Sequence, residues 1–406
     1  MRRRASRKSR PSQGRLLLIL IVLLGVGFIF WRYPETAAQL FKPLLSEPSI
    51  STNPATPIAA QPTAPGAAPA AQPAQPQAGG AWYQLFFTTP RYPDKPEYHH
   101  GGIDTQLVEF INTATKTIDM AIYDFDLENV AEALAQAAGR GVRVRMVTDT
   151  DTLTNSNAQV QRAFAIVKRA KIPIIDDQRG AIMHDKFVVV DNQAVWTGSW
   201  NFTDGDTYHL NNNAIRISVP ELAQNYTLEF EKMFVQREFG PAKPESQNDP
   251  VLQVGDVRIE NYFAPEDKVA ARVSARLKQA KQSIHFLAFS FTNDAIGKAV
   301  QDAAKAGVQV SGVFETTGSE TQFSEYGKFK KLKMDVLQDG NPYLMHHKVF
   351  IIDGATVIFG SFNFSNNADQ DNDENLLIVD DPQMAQAFEA EFQRVREQAL
   401  NPPKRK

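Results

Sequence analysis

With 406 residues, 43% of them apolar and 22% charged, the chain is too long for one ordinary core and reads as a globular protein of two domains or lobes. It contains no cysteine, which excludes disulfides, thiolate metal sites and cysteine nucleophiles. The net charge of −3 hides an asymmetry: residues 1–81 hold nine Lys/Arg and two acids, leaving 34 basic and 44 acidic residues in 82–406, which disfavours generic nucleic-acid binding.

The first fifteen residues, "MRRRASRKSRPSQGR", lead into the unbroken apolar run "LLLILIVLLGVGFIFW" at 16–31. A basic flank before such a run predicts membrane targeting. The run is short for a full span and long for a signal-peptide core. Trp31 and Arg32 suit an interfacial boundary, whereas the small-residue site Thr36-Ala37-Ala38 is weak. An uncleaved transmembrane helix over 16–31 is therefore expected, behind a basic cytoplasmic tail at 1–15. The rest of the chain would be extracytoplasmic, or secreted if the segment were cleaved. Residues 32–81 are rich in Pro and Ala and almost uncharged, which predicts an extended tether ahead of a folded unit beginning near Trp82.

From there the chain repeats itself. "TIDMAIYDFDLENVAEALAQAAGRGVRVRMVTD" (117–149) matches "SIHFLAFSFTNDAIGKAVQDAAKAGVQVSGVFE" (283–315), and "MHDKFVVVDNQAVWTGSWNFT" (183–203) matches "MHHKVFIIDGATVIFGSFNFS" (345–365). Two closing helices match as well, with Tyr226, Phe230, Met233 and Phe388, Phe392, Val395 at helical spacing. Each half reads helix, strand, helix, strand, helix, a cluster of short strands, then a helix. That alternation predicts an α/β fold of two lobes, 82–240 and 241–406, related by a pseudo-twofold axis. The polar, Pro-rich stretch 238–250 is the expected junction. The segment "RYPDKPEYHHGG" (91–102) has no counterpart in the second half and reads as an exposed loop.

Within the second repeat, His184, Lys186, Asp191, Gly198, Ser199 and Asn201 recur at identical spacing as His346, Lys348, Asp353, Gly360, Ser361 and Asn363. Six fixed positions at roughly 5% usage each arise by chance about once in 10⁷–10⁸ starting points, so two copies are no coincidence. "FVVV" and "VFII" are strand formers, and residues two apart on a strand face the same side. His184 and Lys186 therefore point together, as do His346 and Lys348, towards one shared cleft. His347 points the other way. Gly198 and Gly360 allow close backbone approach. Asn201 and Asn363, with Ser199 and Ser361, are candidate phosphate-binding groups. Asp191 and Asp353, five residues past the lysines, fall on the opposite face and read as structural.

This doubled pattern resembles the phospholipase D superfamily, over about residues 82–406. The resemblance implies two α/β/α sandwich lobes sharing one cleft, and phosphodiester cleavage or transfer through a phosphohistidine. Two imidazoles and two ammonium groups can bind and cleave a phosphodiester without a metal or other cofactor. Family members often carry an acid or amide after the GSxN segment that holds the opposite lobe's histidine. At that position stand Asn212 and Glu374. Crossed pairing would set Glu374 on His184 and Asn212 on His346, making His184 the nucleophile and His346 the general acid.

Phospholipid, met at a membrane, is the expected substrate and partner. A metal-independent endonuclease acting on nucleic acid is the alternative, ahead of a cardiolipin synthase-like phosphatidyl transferase, a family that generally has two N-terminal membrane segments. No obligate protein partner is implied. "DQDNDE" (369–374) has calcium-loop spacing but lacks the loop's glycine and distal glutamate, so it reads as a solvated loop. His209 and His285 show no partner pattern and read as packing or surface residues.

Overall fold

The Val-, Ile- and Phe-rich runs of both repeats become buried strands of two mixed, eight-stranded sheets. The computed structural model describes residues 76, 78–246 and 248–404, so the expected cytoplasmic tail, transmembrane segment and most of the tether lie outside the described residues. No helix among the described residues is long and apolar enough to cross a membrane. The first lobe contributes β1 (Ala78–Gly79), β2 (Tyr83–Phe87), β3 (Thr117–Ile122), β4 (Arg143–Thr148), β5 (Ile174–Asp176), β6 (Lys186–Val190), β7 (Ala194–Gly198), β8 (Leu210–Asn211) and β9 (Asn213–Ile217). The second contributes β10 (Val251–Val254), β11 (Val257–Ala264), β12 (Ser283–Ala288), β13 (Gln309–Phe314), β14 (Asp335–Gln338), β15 (Leu344–Met345), β16 (Lys348–Ile352), β17 (Thr356–Gly360) and β18 (Glu374–Asp380).

The sheet orders are the same by repeat: β1-β2-β9-β7-β6-β3-β4-β5 and β10-β11-β18-β17-β16-β12-β13-β14. Within these two sheets, among the described residues, only β3-β4-β5 and β12-β13-β14 run parallel, each pair joined through a helix: α1 (Glu128–Gly139) and α2 (Ala158–Arg169) in the first lobe serve this purpose. Each half opens with a strand that the sequence reading lacks, ahead of the helix it predicts (Ile103–Asn112 and Val269–Leu277). β2 and β11 pair antiparallel with the last strand of their own repeat, Tyr83 facing Ile217 and Arg258 facing Asp380. Ala78 and Gly79 already pair with Leu85 and Gln84, so the first sheet starts ahead of Trp82.

Strand alternation divides the apolar side chains between three cores. Val188 and Val190 of β6 face a core private to the first lobe, together with Leu134, Phe164 and Trp196. Phe286, Phe291 and Phe350 anchor its counterpart in the second lobe. Phe187, Val189, Val349 and Ile351 face inward to a shared core. That core is filled by α3 (Pro220–Glu231), with Tyr226 and Phe230, and by α4 (Pro382–Leu400), with Phe388 and Phe392. Each buried aromatic contributes about 1.5–3 kcal/mol, so the closing helices bind the lobes together as well as capping them. The expected junction is equally tied down: Lys243 is fully buried among Glu229, Glu266 at 3.1 Å and Asp373 at 3.0 Å.

Asp191 and Asp353 close the hairpins after β6 and β16 and keep the structural role the sequence suggests. The Asp191 carboxylate accepts from the N–H groups of Thr115, Lys116 and Thr117 at 2.9, 2.7 and 2.8 Å. Asp353 accepts from Lys281, Gln282 and Ser283 at 2.8, 2.7 and 2.9 Å. Partial burial pushes both carboxyls up, but these donors outweigh it and hold them below the ordinary aspartate range. The charged form is therefore the stabilising one. Asp191→Asn and Asp353→Asn should each lower unfolding free energy by about 1–3 kcal/mol at pH 7 in denaturant melts. The deficit should shrink as pH falls from about 3.9, the unfolded value, through the depressed folded pKa.

Candidate active site

Lys186 and Lys348 are the first residues of β6 and β16, so each histidine sits just before its strand, where backbone groups are free to pair elsewhere. They pair with the other lobe. The His184 N–H donates to the Asp373 carbonyl and the His346 N–H to the Asn211 carbonyl, both at 2.9 Å. Met183 bridges Asp373, and β15 pairs parallel with β8, setting Met345 beside Asn211. Each lysine curls back onto its own motif: Lys186 Nζ donates to the His184 carbonyl at 2.9 Å and Lys348 Nζ to the His346 carbonyl at 2.8 Å. Tyr123 and Phe289 lie beneath the two motifs, 5.2 and 4.7 Å from the ammonium groups and 5.0 and 4.8 Å from the imidazole rings.

The ring nitrogens follow the backbone across the lobes. His184 Nδ1 lies 2.7 Å from Glu374 Oε2, and His346 Nδ1 lies 3.0 Å from Asn212 Oδ1. An acceptor on Nδ1 leaves the Nε2 lone pair of each imidazole for chemistry. The sequence does not point to Asp206, whose Oδ1 lies 3.3 Å from His346 Nδ1. Asn212 Nδ2 also donates to it at 3.1 Å. The repeat equivalent of Asp206 is Ala368, just as that of Glu374 is Asn212. Each half-site thus has one carboxylate, drawn from different repeat positions.

The serines stand elsewhere than expected. Ser199 Oγ donates to Asn212 Oδ1 at 2.8 Å and accepts from the Asn213 N–H at 3.1 Å. Ser361 Oγ donates to Glu374 Oε2 at 2.6 Å and accepts from the Asn375 N–H at 3.0 Å. Both are fully buried, so their hydroxyls fix the partners of the histidines and have nothing left for a phosphate. Gly198 and Gly360 make this possible: at φ of +147° and +155°, a Cβ would fall 2.3 Å from the Asn213 or Asn375 carbonyl. Asn201 donates from Nδ2 to Asp206 at 3.3 Å. Asn363, whose repeat has alanine in place of Asp206, has a buried Oδ1 with no hydrogen-bond partner among the described residues.

Asn213 and Asn375, identical in both repeats, were a legible signal that spacing arguments passed over. Asn375 Nδ2 donates to Asp185 Oδ1 at 2.8 Å, and Asn213 Nδ2 lies 3.0 Å from His347 Nδ1. His347 faces the shared core, with Nε2 on Glu391 Oε1 at 2.9 Å, away from His346. In "DQDNDE" the carboxylates diverge: Asp369 accepts from the Ala270 N–H at 2.8 Å, while Asp373 pairs with Arg179 and Lys243. His285 pairs with Glu389 at 2.7 Å and stacks on Phe392, a packing role.

Burial and the two lysines set the electrostatics. Desolvation first, then Lys186 and Lys348, holds His184 well below the ordinary imidazole range. Desolvation and Lys348 take His346 down to about 3. Burial raises Glu374 to about 8. Burial pushes Asp206 up as well, but hydrogen bonding and attraction to His346 prevail and leave it below the ordinary range. Lys348 is held well below the lysine range by burial and by Lys186. Two imidazoles held neutral and two lysine side chains facing one cleft are an arrangement suited to a phosphate.

A family profile described as "Cardiolipin synthase, PLD-like domain" matches twice, over residues 107–234 and 273–396. A phospholipase D of Rickettsia typhi is 27% identical over 185 residues, spanning 44% of this chain and 91% of that protein. The mitochondrial cardiolipin hydrolase of Homo sapiens is 34% identical over 138 residues, 34% of this chain and 54% of its own length. Among solved structures, the phosphatidylserine synthase of Haemophilus influenzae is similar in fold at 13% identity, over 73% of this chain and 84% of that one, with a TM-score of 0.56.

Burial holds Lys186 down at about 8, so its charge is present below that pH and is lost as pH rises through it. kcat/KM for phosphodiester cleavage should therefore fall above about pH 8. A basic limb displaced to about pH 10, the ordinary lysine range, would show that Lys186 supplies no essential charge.

Proposed function

The chain belongs to the phospholipase D superfamily, with two PLD-like domains on one polypeptide, and from that premise we propose that it hydrolyses phospholipids to phosphatidic acid at a membrane. It is a PLD-like phosphodiesterase; the substrate, the anchor and the order of chemical steps are the proposal. The observation that carries the mechanism is the crossed pairing, His184 on Glu374 and His346 on Asn212 and Asp206.

In the first step His346, which takes up a proton on Nε2 when the anionic phosphodiester enters the cleft, acts as an imidazolium: His184 Nε2 attacks phosphorus, the bond from phosphorus to the headgroup oxygen breaks, and His346 gives its Nε2 proton to that oxygen. Water then attacks the phosphohistidine, its proton passes to His346, and the N–P bond breaks to release phosphatidic acid. Lys186 and Lys348 stabilise the charge that builds on the non-bridging oxygens. Asp206, ionised below the usual range, gives an imidazolium at His346 a standing counter-charge, which supports His346 as the acid. Glu374 orients His184 without that permanence. The substrate reading draws on the lipid enzymes among the relatives, on the acidic balance of residues 82–406 and on the apolar run 16–31 as an anchor.

Purified full-length protein, incubated with phosphatidylcholine vesicles and ethanol, should yield phosphatidic acid and phosphatidylethanol, both absent with His184→Ala. Nicking of plasmid DNA without lipid turnover would instead make the chain a nuclease. The two histidines separate by leaving group. Asp206→Asn should slow phosphatidylcholine turnover by about 10–100-fold yet leave bis(p-nitrophenyl) phosphate cleavage within about threefold, because an aryl oxide departs without a proton. His184→Ala should abolish both, and phosphate trapped on His346 in acid-quenched enzyme would reverse the two roles.

A further inference from the structure

The loop at 91–102, which the second repeat lacks, folds back onto the segment that holds His346 and brings two histidines and a carboxylate together. His99 Nε2 lies 2.9 Å from Asp94 Oδ1, and His209 Nε2 lies 3.0 Å from Asp94 Oδ2. One ligand atom from each of the three residues falls within 4.8 Å of the others. Tetrahedral coordination with bonds of about 2.0–2.1 Å sets ligand atoms about 3.3 Å apart, close to these separations. His209 therefore has a partner set that its sequence context did not reveal.

The surroundings are built as metal sites are. His99 Nδ1 is 2.9 Å from Asp204 Oδ2, an outer carboxylate that takes the ring's N–H and leaves Nε2 as the lone-pair side. A lone pair on Nε2 facing a carboxylate oxygen at 2.9 Å is repulsive unless a proton or a metal ion lies between them. Both rings are held by stacking, His99 on Tyr208 and His209 on Tyr343, each at 4.5 Å between centroids. The side chains of His99, Asp94 and His209 are 20%, 26% and 27% exposed, so an ion can reach them from solvent.

We propose that Asp94, His99 and His209 form a zinc site that clamps the 91–102 loop to the structure around His346. Two imidazoles and one carboxylate are borderline donors suited to Zn²⁺, with water completing the coordination. The clamp reaches both sides of the half-site. His209 lies between Asp206 and Asn212, the two residues on His346 Nδ1. Tyr343, three residues ahead of His346, accepts from the Asp94 N–H at 3.0 Å. The site stands whatever the substrate, and the zinc takes no part in the phosphoryl chemistry.

Elemental analysis of the full-length chain, dialysed and then supplied with zinc, should give about one zinc per chain, lost in His99→Ala and in His209→Gln. Cobalt substitution should produce the intense visible d–d absorption of a tetrahedral site, and zinc should raise the melting temperature of the parent protein but not of either variant. His285→Gln, which removes a histidine packed elsewhere, should keep the metal and serves as the folding control. Protein that takes up no zinc at micromolar concentration would overturn the proposal and leave Asp94 as the shared hydrogen-bonding partner of the two histidines. Zinc retained in both variants would overturn it too, by placing the ion elsewhere.

Discussion

The backbone bridges that set Met183 against Asp373 and Met345 against Asn211 decide where His184 and His346 point. Each bridge places a histidine N–H on a carbonyl of the opposite lobe. It thereby brings two consecutive side chains of one lobe, His184 and Asp185 or His346 and His347, against two of the other, Glu374 and Asn375 or Asn212 and Asn213. Because side chains alternate along an extended backbone, the first pair of each set faces the cleft and the second faces the shared core. Catalytic orientation and lobe adhesion are thus achieved by the same four-residue stretches. The fully buried serines after Gly198 and Gly360 then lock the acceptor in each pair.

The two half-sites are alike in outline and unlike in charge. One presents its carboxylate through Glu374, whose burial favours the protonated form; the other presents it through Asp206, which hydrogen bonds keep ionised. Around them the same substitution of ion for amide recurs. Arg179 pairs with Asp373 in one half, while at the equivalent positions Asn341 donates to Asn211 Oδ1 at 2.7 Å. A reaction that needs a neutral imidazole and a protonated one on opposite sides of a phosphorus atom benefits from such inequality.

The fold was largely legible because the repeat doubled every signal. The HxK strands and the closing helices with Tyr226 and Phe388 stand as the repeats implied, and Glu374 and Asn212 pair across the lobes as the family resemblance implied. The opening strands β2 and β11 were not, since "YQLFF" and its counterpart enter their sheets by pairing with residues more than a hundred positions away, beside a short local partner each. Ser199 and Ser361 were misread because motif spacing places a hydroxyl near the cleft but does not tell which way it faces. Asp206 was invisible for the opposite reason: its repeat partner is Ala368, so comparing the halves erased it.

Carrying both lobes on one polypeptide has a consequence for how such a site can vary. In a pair of identical chains, any replacement of Glu374 would strike both histidines together, and an alanine in place of Asp206 would empty both half-sites of that carboxylate. Here each position exists once. Asparagine at 212 goes with Asp206 as the acid of the same half-site, and alanine at 368 goes with Glu374 as the acid of the other. Covalent fusion therefore lets the surroundings of each histidine change without changing those of the other.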